Sequence, residues 1–256
     1  AMQGYLRNPL AEPGIIGISS SASLGAVLAL QSGLAAALPL ALPLSALGGA
    51  AAAVLLILLL AGPRGGALGL ILAGIAISAL AGALTSLVLN LSPNPFAAME
   101  IVFWMMGSLA DRSMQHVWLA APFMLAGAAL LLSLGRGLDA LTLGEDAAAA
   151  MGVNLGRLRW GVILGTALAV GAGVAVAGAV GFVGLIVPHL LRPLVGARPS
   201  HLLPASALGG AAMVLAADVA VRLLAPDRDL KLGVLTAIIG APFFLHLIWR
   251  LRAEEA

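Results

Sequence analysis

Eight apolar blocks dominate the sequence, and most of them have the length that a helix needs to cross a lipid bilayer, about 20 residues. The blocks cover residues 14–38, 42–62, 66–90, 116–135, 160–180, 182–196, 202–224 and 232–250. Hydrophobic side chains make up 61% of the chain and charged ones only 9%, which leaves too little polar surface for a soluble domain of 256 residues. The sequence therefore predicts one all-α transmembrane domain, a polytopic helix bundle with about eight spans.

Two local patterns refine this prediction. The sixth block is short and contains Pro188, which lacks a backbone N–H and disfavours helical conformation in the preceding residue, so we expect a broken or tilted helix there. Gly and Ala recur three or four positions apart in the other blocks, above all in residues 65–84 and 161–181. Such spacing favours close packing of helix on helix.

The basic residues are unevenly divided between the two sides of the predicted bundle. Lys and Arg accumulate in connectors on the cytoplasmic side of a membrane. With the first connector inside, nine arginines are cytoplasmic and four basic residues are not: Arg7, Arg64, Arg136, Arg157, Arg159, Arg192, Arg198, Arg250 and Arg252 against Arg112, Arg222, Arg228 and Lys231. This orientation places the connector at residues 141–160 in the cytoplasm.

Composition and missing motifs argue against several functions. A net charge of +2 without a basic run longer than two residues does not indicate a nucleic-acid partner. The absence of cysteine excludes disulfides and thiolate metal sites, and the histidines lie on separate elements, so we predict no metal site. Lys231 is the only lysine and follows Leu230, so the chain has no Walker A loop. No catalytic motif such as GxSxG or HExxH is present, and we expect no enzymatic activity.

The connector at residues 141–160 is a polar island between apolar blocks. Thr142 and Glu145 have the spacing of a capping box, which predicts a helix start there. Gly152 would end that helix in a left-handed conformation, and Asn154 would cap a second short helix carrying Arg157. We therefore expect two short helices on the cytoplasmic face, with a small, smooth alanine surface that fits the groove of another protein. The alternative is an ordinary solvated loop.

Seven ordered motifs along the chain resemble those of one family. The chain is similar to the permease subunits of ABC importers for iron siderophores, haem and cobalamin, the FecCD family. The motifs are RNPLAEPGIIGISSSASLGA, LILAGIAISAL, FWMMGSL, LGEDAAAAMGV, GAVGFVGLIVPHLLRPLVG, HLLPASALGGAAMVLAADVAVR and LKLGVLTAIIGAPFFLHLI. Family members have ten spans, so the resemblance implies that residues 1–256 lack the first span and most of the second.

The resemblance implies partners and a role for the polar connector. It implies a second permease copy that completes the pathway, a dimer of ATP-binding subunits that binds ATP and Mg, and a periplasmic or lipoprotein substrate-binding protein outside. This chain itself would bind no cofactor. The connector corresponds to the segment that couples the permease to the ATPase, and its candidate residues are Thr142, Gly144, Glu145, Asp146, Ala149, Met151, Gly152 and Arg157.

The resemblance also suggests sites outside the connector. Arg222, with Glu100 as a weaker candidate, is expected to dock the binding protein, although Arg222 has the spacing of a local ion pair with Asp218. Residues 95–111 are expected to form a short amphipathic helix, either near the gate or in an interfacial aromatic belt.

Asn8 and Leu10 correspond to a constriction that closes the pathway to the cytoplasm, and the alternative is a turn fixed by Pro9 and Pro13. The predicted pathway-lining residues are Thr85, Ser86, Asn90 and Met99.

These expectations define the predicted function and its competitors. The chain is identified as a permease subunit of an ATP-driven importer in the cytoplasmic (inner) membrane of a bacterium or archaeon, with a ferric siderophore as expected cargo and haem or cobalamin as alternatives. A carrier driven by an ion gradient would be expected to keep ionisable residues near the bilayer midplane, whereas here the charges lie toward the ends of the blocks.

Overall fold

The computed structural model describes residues 1–38, 40–62, 66–224 and 230–255. Its helices are α1 (Met2–Tyr5), a 3₁₀ helix (Pro13–Ile16), α2 (Ile18–Gln31), α3 (Leu34–Ala37), α4 (Ala41–Ala61), α5 (Ala67–Asn90), α6 (Pro95–Met105), α7 (Met114–Ser133), α8 (Gly135–Leu141), α9 (Glu145–Ala150), α10 (Leu155–Ala177), α11 (Val183–Val195), α12 (Pro199–Leu224) and α13 (Leu232–Glu255). The described residues contain no strand, which confirms the all-α prediction.

Five helices in the described ranges are long and apolar enough to cross a membrane. They are α4, α5, α7, α10 and α12, and they correspond to the second, third, fourth, fifth and seventh predicted spans. The sixth and eighth predicted spans are shorter apolar helices, namely α11 and residues Leu232–Leu247 of α13. The membrane character of the chain is confirmed, but the structure divides the apolar blocks into helices of unequal length.

The first predicted span, residues 14–38, is wrong as one continuous helix. Gly17 (φ 77°) and Gly33 (φ 74°) adopt left-handed conformations, which separate the 3₁₀ helix from α2 and α2 from α3. A left-handed residue redirects the chain, and glycine adopts this conformation without steric cost. The block has the right hydropathy for a span, but hydropathy does not report where the backbone turns.

Close packing between α2 and α4 forms the centre of the bundle. The two helices cross through a pair of Ser-x-x-x-Gly segments: Gly49 lies against the Ser21 carbonyl, and Gly25 lies against the Ser45 carbonyl. Alanines from both helices, such as Ala22 and Ala50, are buried around this crossing. A second close crossing joins Gly127 of α7 to α10. The predicted packing through small residues is confirmed.

Of the broken or tilted helix predicted at Pro188, the break is wrong, because α11 continues through Pro188 and Pro193. A proline inside a helix leaves the carbonyl four residues earlier without its usual donor. Here that carbonyl belongs to Gly184, and it accepts a hydrogen bond from the Gln3 side-chain amide (Nε2 to O, 3.4 Å). Partners from elsewhere in the fold can serve a freed carbonyl without interrupting the helix.

Candidate coupling site

One short helix and the start of a long one form the polar connector at residues 141–160, and a second short helix leads into it. α8 (Gly135–Leu141) is followed by α9 (Glu145–Ala150), and α10 begins at Leu155. The Asn154 side chain accepts a hydrogen bond from the Arg157 N–H (2.9 Å), and Gly152 is left-handed (φ 83°), so both predicted signals are confirmed. The predicted second short helix, however, is the first turn of α10, because the helix runs on without interruption into the apolar block.

The predicted capping box of Thr142 and Glu145 is wrong. Thr142 lies at the end of α8, where its Oγ1 donates to the Asp139 carbonyl (2.6 Å). The residue before α9 is Gly144, which has a positive φ of 108° and no side chain that could cap the helix. The sequence pattern failed because α8 extends to Leu141 and takes Thr142 as its C-terminal cap.

α9 presents one face to solvent and one to the protein. Glu145 and Asp146 occupy its first turn, where negative charge interacts favourably with the helix dipole. Both acids, Ala149 and Met151 are exposed, whereas Ala148 is fully buried. The helix therefore lies on the protein through one alanine and leaves an acidic, alanine-lined surface open, as the sequence analysis predicted for a surface that enters a groove.

Asp139 connects α8 to the start of α12. Its carboxylate accepts hydrogen bonds from the Ser200 backbone N–H (2.9 Å) and the Ser200 hydroxyl (2.6 Å). The first N–H groups of a helix have no partner within the helix, so this carboxylate acts as a cap supplied by another element. The short helices of the connector are thus anchored to a membrane helix far along the chain.

Arg159 makes a second anchor, which the sequence analysis missed. Its side chain is 3% exposed, and its Nη1 and Nη2 donate to the carbonyls of Gly62 (3.0 Å) and Ala61 (3.3 Å) at the end of α4. Its guanidinium also lies over the Trp160 ring, 5.5 Å from the ring centroid. A cation at a helix C-terminus meets the negative end of the dipole and carbonyls that lack helical partners.

Tyr5 lies within the electrostatic reach of both the connector and this anchor. Burial raises the pKa of the Tyr5 phenol, the positive charge of Arg159 opposes that rise, and the negative charge of Glu145 adds to it. The side chain packs on the buried cluster that contains Ala148 and Leu158. The N-terminal helix α1 therefore contacts the same region from which α9 and α10 emerge.

The predicted gate residues form a turn. The Asn8 side-chain oxygen accepts a hydrogen bond from the Leu10 N–H (2.9 Å), and the Asn8 carbonyl accepts one from the Ala11 N–H (3.1 Å). This geometry confirms the turn, and the gate assignment stays a prediction. Asn8 is exposed and Leu10 is partly buried.

Asn8 also lines a cavity of about 500 Å³ between α1, α7, α10, α11 and α12. The walls are mainly apolar, and Gln3, Arg7 and Arg192 supply polar groups. Arg192 Nη2 donates to Gln3 Oε1 over 2.9 Å. Leu10 and the four predicted pathway residues are not among the described residues that line this cavity.

The predicted pathway residues do not share one surface. Thr85 is 5% exposed, whereas Ser86 and Asn90 on the same helix are exposed and Met99 is 58% exposed. Successive helical positions point about 100° apart, so Thr85 and Ser86 face different neighbours. The residues therefore form two groups, one inside the chain and one on its surface.

The predicted docking residues lie on exposed surfaces. α6 confirms the predicted short helix over part of residues 95–111, and its Glu100 is exposed. Arg222 donates to the Asp218 carboxylate (Nε to Oδ2, 2.8 Å), which confirms the local ion pair. The Arg222 side chain is 60% exposed, so the pair leaves much of the guanidinium accessible.

The histidines serve packing and local bonds. His189 makes an edge contact with Phe243 (5.5 Å between ring centroids), and the His116 ring lies 3.0 Å from the Ser113 hydroxyl. Across the described ranges, no three residues of the types His, Cys, Asp and Glu are grouped so that they could hold a metal ion.

Comparison with known proteins assigns the chain to a family. The family model of the FecCD transport family matches residues 1–250. The chain belongs to the FecCD transport family. This FecCD chain is 38% identical to the hemin transport system permease protein of Yersinia pestis, covering 100% of this chain and 77% of that protein. It is 40% identical to the Fe(3+) dicitrate transport system permease protein of Escherichia coli, covering 98% and 78%.

Another relative of this FecCD protein is named for a different ligand. The chain is 38% identical to the molybdate import system permease protein of Haemophilus influenzae, over 98% of this chain and 74% of the relative. A solved ABC transporter structure in an inward-facing conformation superposes with a TM-score of 0.89 at 38% identity, covering 97% of this chain and 79% of that one. The protein is therefore a multi-pass permease subunit of an ABC importer.

Within this FecCD permease, sequence reasoning found the connector and missed its anchors. The coupling candidates are contiguous in the chain, so their spacing was visible. Arg159 and the carbonyls of Ala61 and Gly62 are almost a hundred positions apart in the sequence and meet only in the fold. The one available signal was an arginine two residues after Arg157 in an apolar helix, where a charge is costly without a partner.

Proposed function

We propose that this permease moves an iron complex, such as a ferric siderophore, across the cytoplasmic (inner) membrane by alternating access. A separate dimer of ATP-binding subunits would bind ATP and Mg and supply the energy, and this chain would hydrolyse nothing. The iron assignment is supported by the relatives named for hemin and Fe(3+) dicitrate. Relatives named for cobalamin and molybdate make those ligands the alternatives to be tested.

The exposed face of α9 is the observation that carries the coupling proposal. Glu145, Asp146, Ala149 and Met151 face solvent, while Ala148 holds the helix on the protein. A short helix with a small, acidic surface and a firm base fits a cleft on an ATPase and transmits displacement rather than absorbing it. Thr142, Gly144, Gly152 and Arg157 would shape the ends of this contact.

The remaining predicted residues complete the proposed transporter. Arg222 and Glu100 would dock a substrate-binding protein on the outer side, and Asn8 with Leu10 would close the inner end of the pathway. A second permease copy would complete the pathway, with Thr85, Ser86, Asn90 and Met99 near its lining. Support for a partner or lipid cover comes from α12, in which only 6% of the most apolar window is buried within this chain.

The proposal is tested by reversing the charge of the α9 face. In proteoliposomes holding the permease with its ATPase and binding protein, Glu145→Arg with Asp146→Arg should abolish uptake while the complex still inserts and the ATPase subunits still hydrolyse ATP. Arg198→Glu is the matched control, since this exposed arginine lies in the connector between α11 and α12, on the side predicted to be cytoplasmic. Normal uptake in the double variant would reject the coupling role.

Two further measurements separate the alternatives. If collapse of the proton gradient stops uptake by the wild-type complex despite ample ATP, the chain is a secondary transporter and the proposal fails. Binding of the partner protein to ferric siderophores, haem, cobalamin and molybdate, measured by calorimetry, would identify the cargo.

A further inference from the structure

The position of Arg159 is unusual for a buried cation. It lies near the N-terminal end of α10, where the helix dipole disfavours positive charge, and its side chain is 3% exposed. The compensation comes from α4, whose terminal carbonyls at Ala61 and Gly62 accept from the two guanidinium nitrogens. The side chain thus bridges the start of one membrane helix and the end of another.

The start of α10 is also fastened to α9. The Val153 N–H donates to the Ala148 carbonyl (3.0 Å), and Asn154 caps the first turn of α10. Ala148 and Leu158 belong to the same buried cluster, and Leu158 lies over Gly137 of α8. Only four residues separate α9 from α10, and the hydrogen bond from Val153 to Ala148 spans part of this connection. A displacement of α9 would therefore also displace the first turns of α10, which carry Arg159.

The far side of the bridge leads to the centre of the bundle. α4 crosses α2 through backbone contacts at Gly49 and Gly25, and such contacts leave no room for sliding. α2 in turn follows the segment that contains Asn8 and Leu10. Bonds and packing contacts therefore link α9 through the Arg159 side chain to α4 and α2, and α2 follows the predicted inner gate in the chain.

We propose that Arg159 is a positioning residue that makes the C-terminal end of α4 move as one body with the coupling helix α9. This inference rests on the proposed function, in which an ATPase displaces α9. Tyr5 packs on the buried cluster that contains Ala148 and Leu158, so α1 contacts the same junction. The role is distinct from a contact with cargo or nucleotide, because Arg159 is buried and bonds to backbone of its own chain.

A purely structural role for Arg159 would stabilise the fold without affecting coordinated motion. A distance measurement separates the two roles. The chain contains no cysteine, so Leu59→Cys at the exposed end of α4 and Ala150→Cys on the exposed side of α9 are its only labelling sites, and labelled permease is diluted with unlabelled permease before assembly. The distance between the labels is measured by pulsed electron resonance in the assembled complex, without nucleotide and with ATP trapped.

We expect the wild-type distance to be narrow and equal in both states. In Arg159→Gln it should broaden or shift when ATP is trapped, and uptake per ATP hydrolysed should fall at least about fivefold, the low end of typical coupling between sites. Arg159→Lys keeps the charge, but an ammonium group cannot bond to the two carbonyls as a planar guanidinium does. This variant should therefore lie between wild type and Arg159→Gln in both the label distance and the uptake per ATP. Arg198→Gln removes an exposed arginine and should change neither.

An unchanged distance and unchanged uptake per ATP in Arg159→Gln would overturn the inference. If the glutamine variant does not assemble, Arg159→Lys decides, because wild-type behaviour in both readouts would equally reject the role. Failure of the proposed function would look different: wild-type uptake would not depend on ATP. The inference, which rests on that function, would then fall with it.

Discussion

The crossing of α2 and α4 gives the sharpest test of how this fold is held together. Gly48 and Gly49 are neighbours on α4 with opposite surroundings. A Cβ added at Gly49 would overlap the Ser21 carbonyl, whereas a Cβ at Gly48 meets nothing within 4 Å. We therefore compare Gly49→Ala with Gly48→Ala, two variants that make the same chemical change in consecutive residues of one helix.

The expected magnitudes follow from two effects. Alanine favours a helix over glycine by about 1 kcal/mol, and this gain applies at both positions. At Gly49 the new methyl group forces the two backbones apart, and overpacking of this kind costs about 1–3 kcal/mol. The helix term cancels in the comparison, so Gly49→Ala should be less stable than Gly48→Ala by about 1–3 kcal/mol.

The measurement is unfolding of the purified permease in mixed micelles, with the SDS fraction raised and tryptophan fluorescence followed. Gly48→Ala should unfold at or above the wild-type SDS fraction, and Gly49→Ala should unfold clearly below Gly48→Ala. Gly25→Ala, which addresses the mirrored contact with Ser45, should behave as Gly49→Ala does. Equal midpoints for Gly48→Ala and Gly49→Ala would refute the claim that backbone contact at this crossing carries stability.

Two further predictions concern charged residues outside the predicted spans and at their edge. Arg222→Glu should weaken capture of the loaded binding protein in a pull-down, and Asp218→Arg combined with Arg222→Glu restores the local ion pair, so recovered capture in that double variant would contradict docking. Burial raises the pKa of Glu12 above its ordinary value of 4.5, so the unfolded chain releases this proton first as pH increases. The free energy of unfolding should therefore fall as the pH rises from about 4.5 to the raised pKa of Glu12 in the folded protein. Glu12→Gln should lose this pH dependence in unfolding scans. An unchanged pH dependence in that variant would contradict the prediction.

Local signals in the sequence predicted local structure well where one residue type decides the backbone. Gly152 and Asn154 act on their own neighbours, and both behave as predicted. Thr142 did not, because two helices compete for it and α8 takes it as a cap. Pro188 did not break α11, because Gln3, 185 positions away, serves the freed carbonyl of Gly184. A local rule fails where a distant partner supplies the missing bond.

The sequence by itself determined that the chain is a membrane protein, where its apolar blocks lie, and where its polar connector lies. Those properties follow from hydropathy, helix-capping chemistry and motifs that neighbouring residues share. Only the tertiary structure decided how the connector is fastened to the bundle, through Ser200 bonded to Asp139 and Arg159 bonded to Ala61 and Gly62. Asp139 and Arg159 bond to four groups, and three of them are backbone groups: the Ser200 N–H and the carbonyls of Ala61 and Gly62. Every residue has such groups, so no pattern of side chains along the sequence can reveal which of them will be bonded.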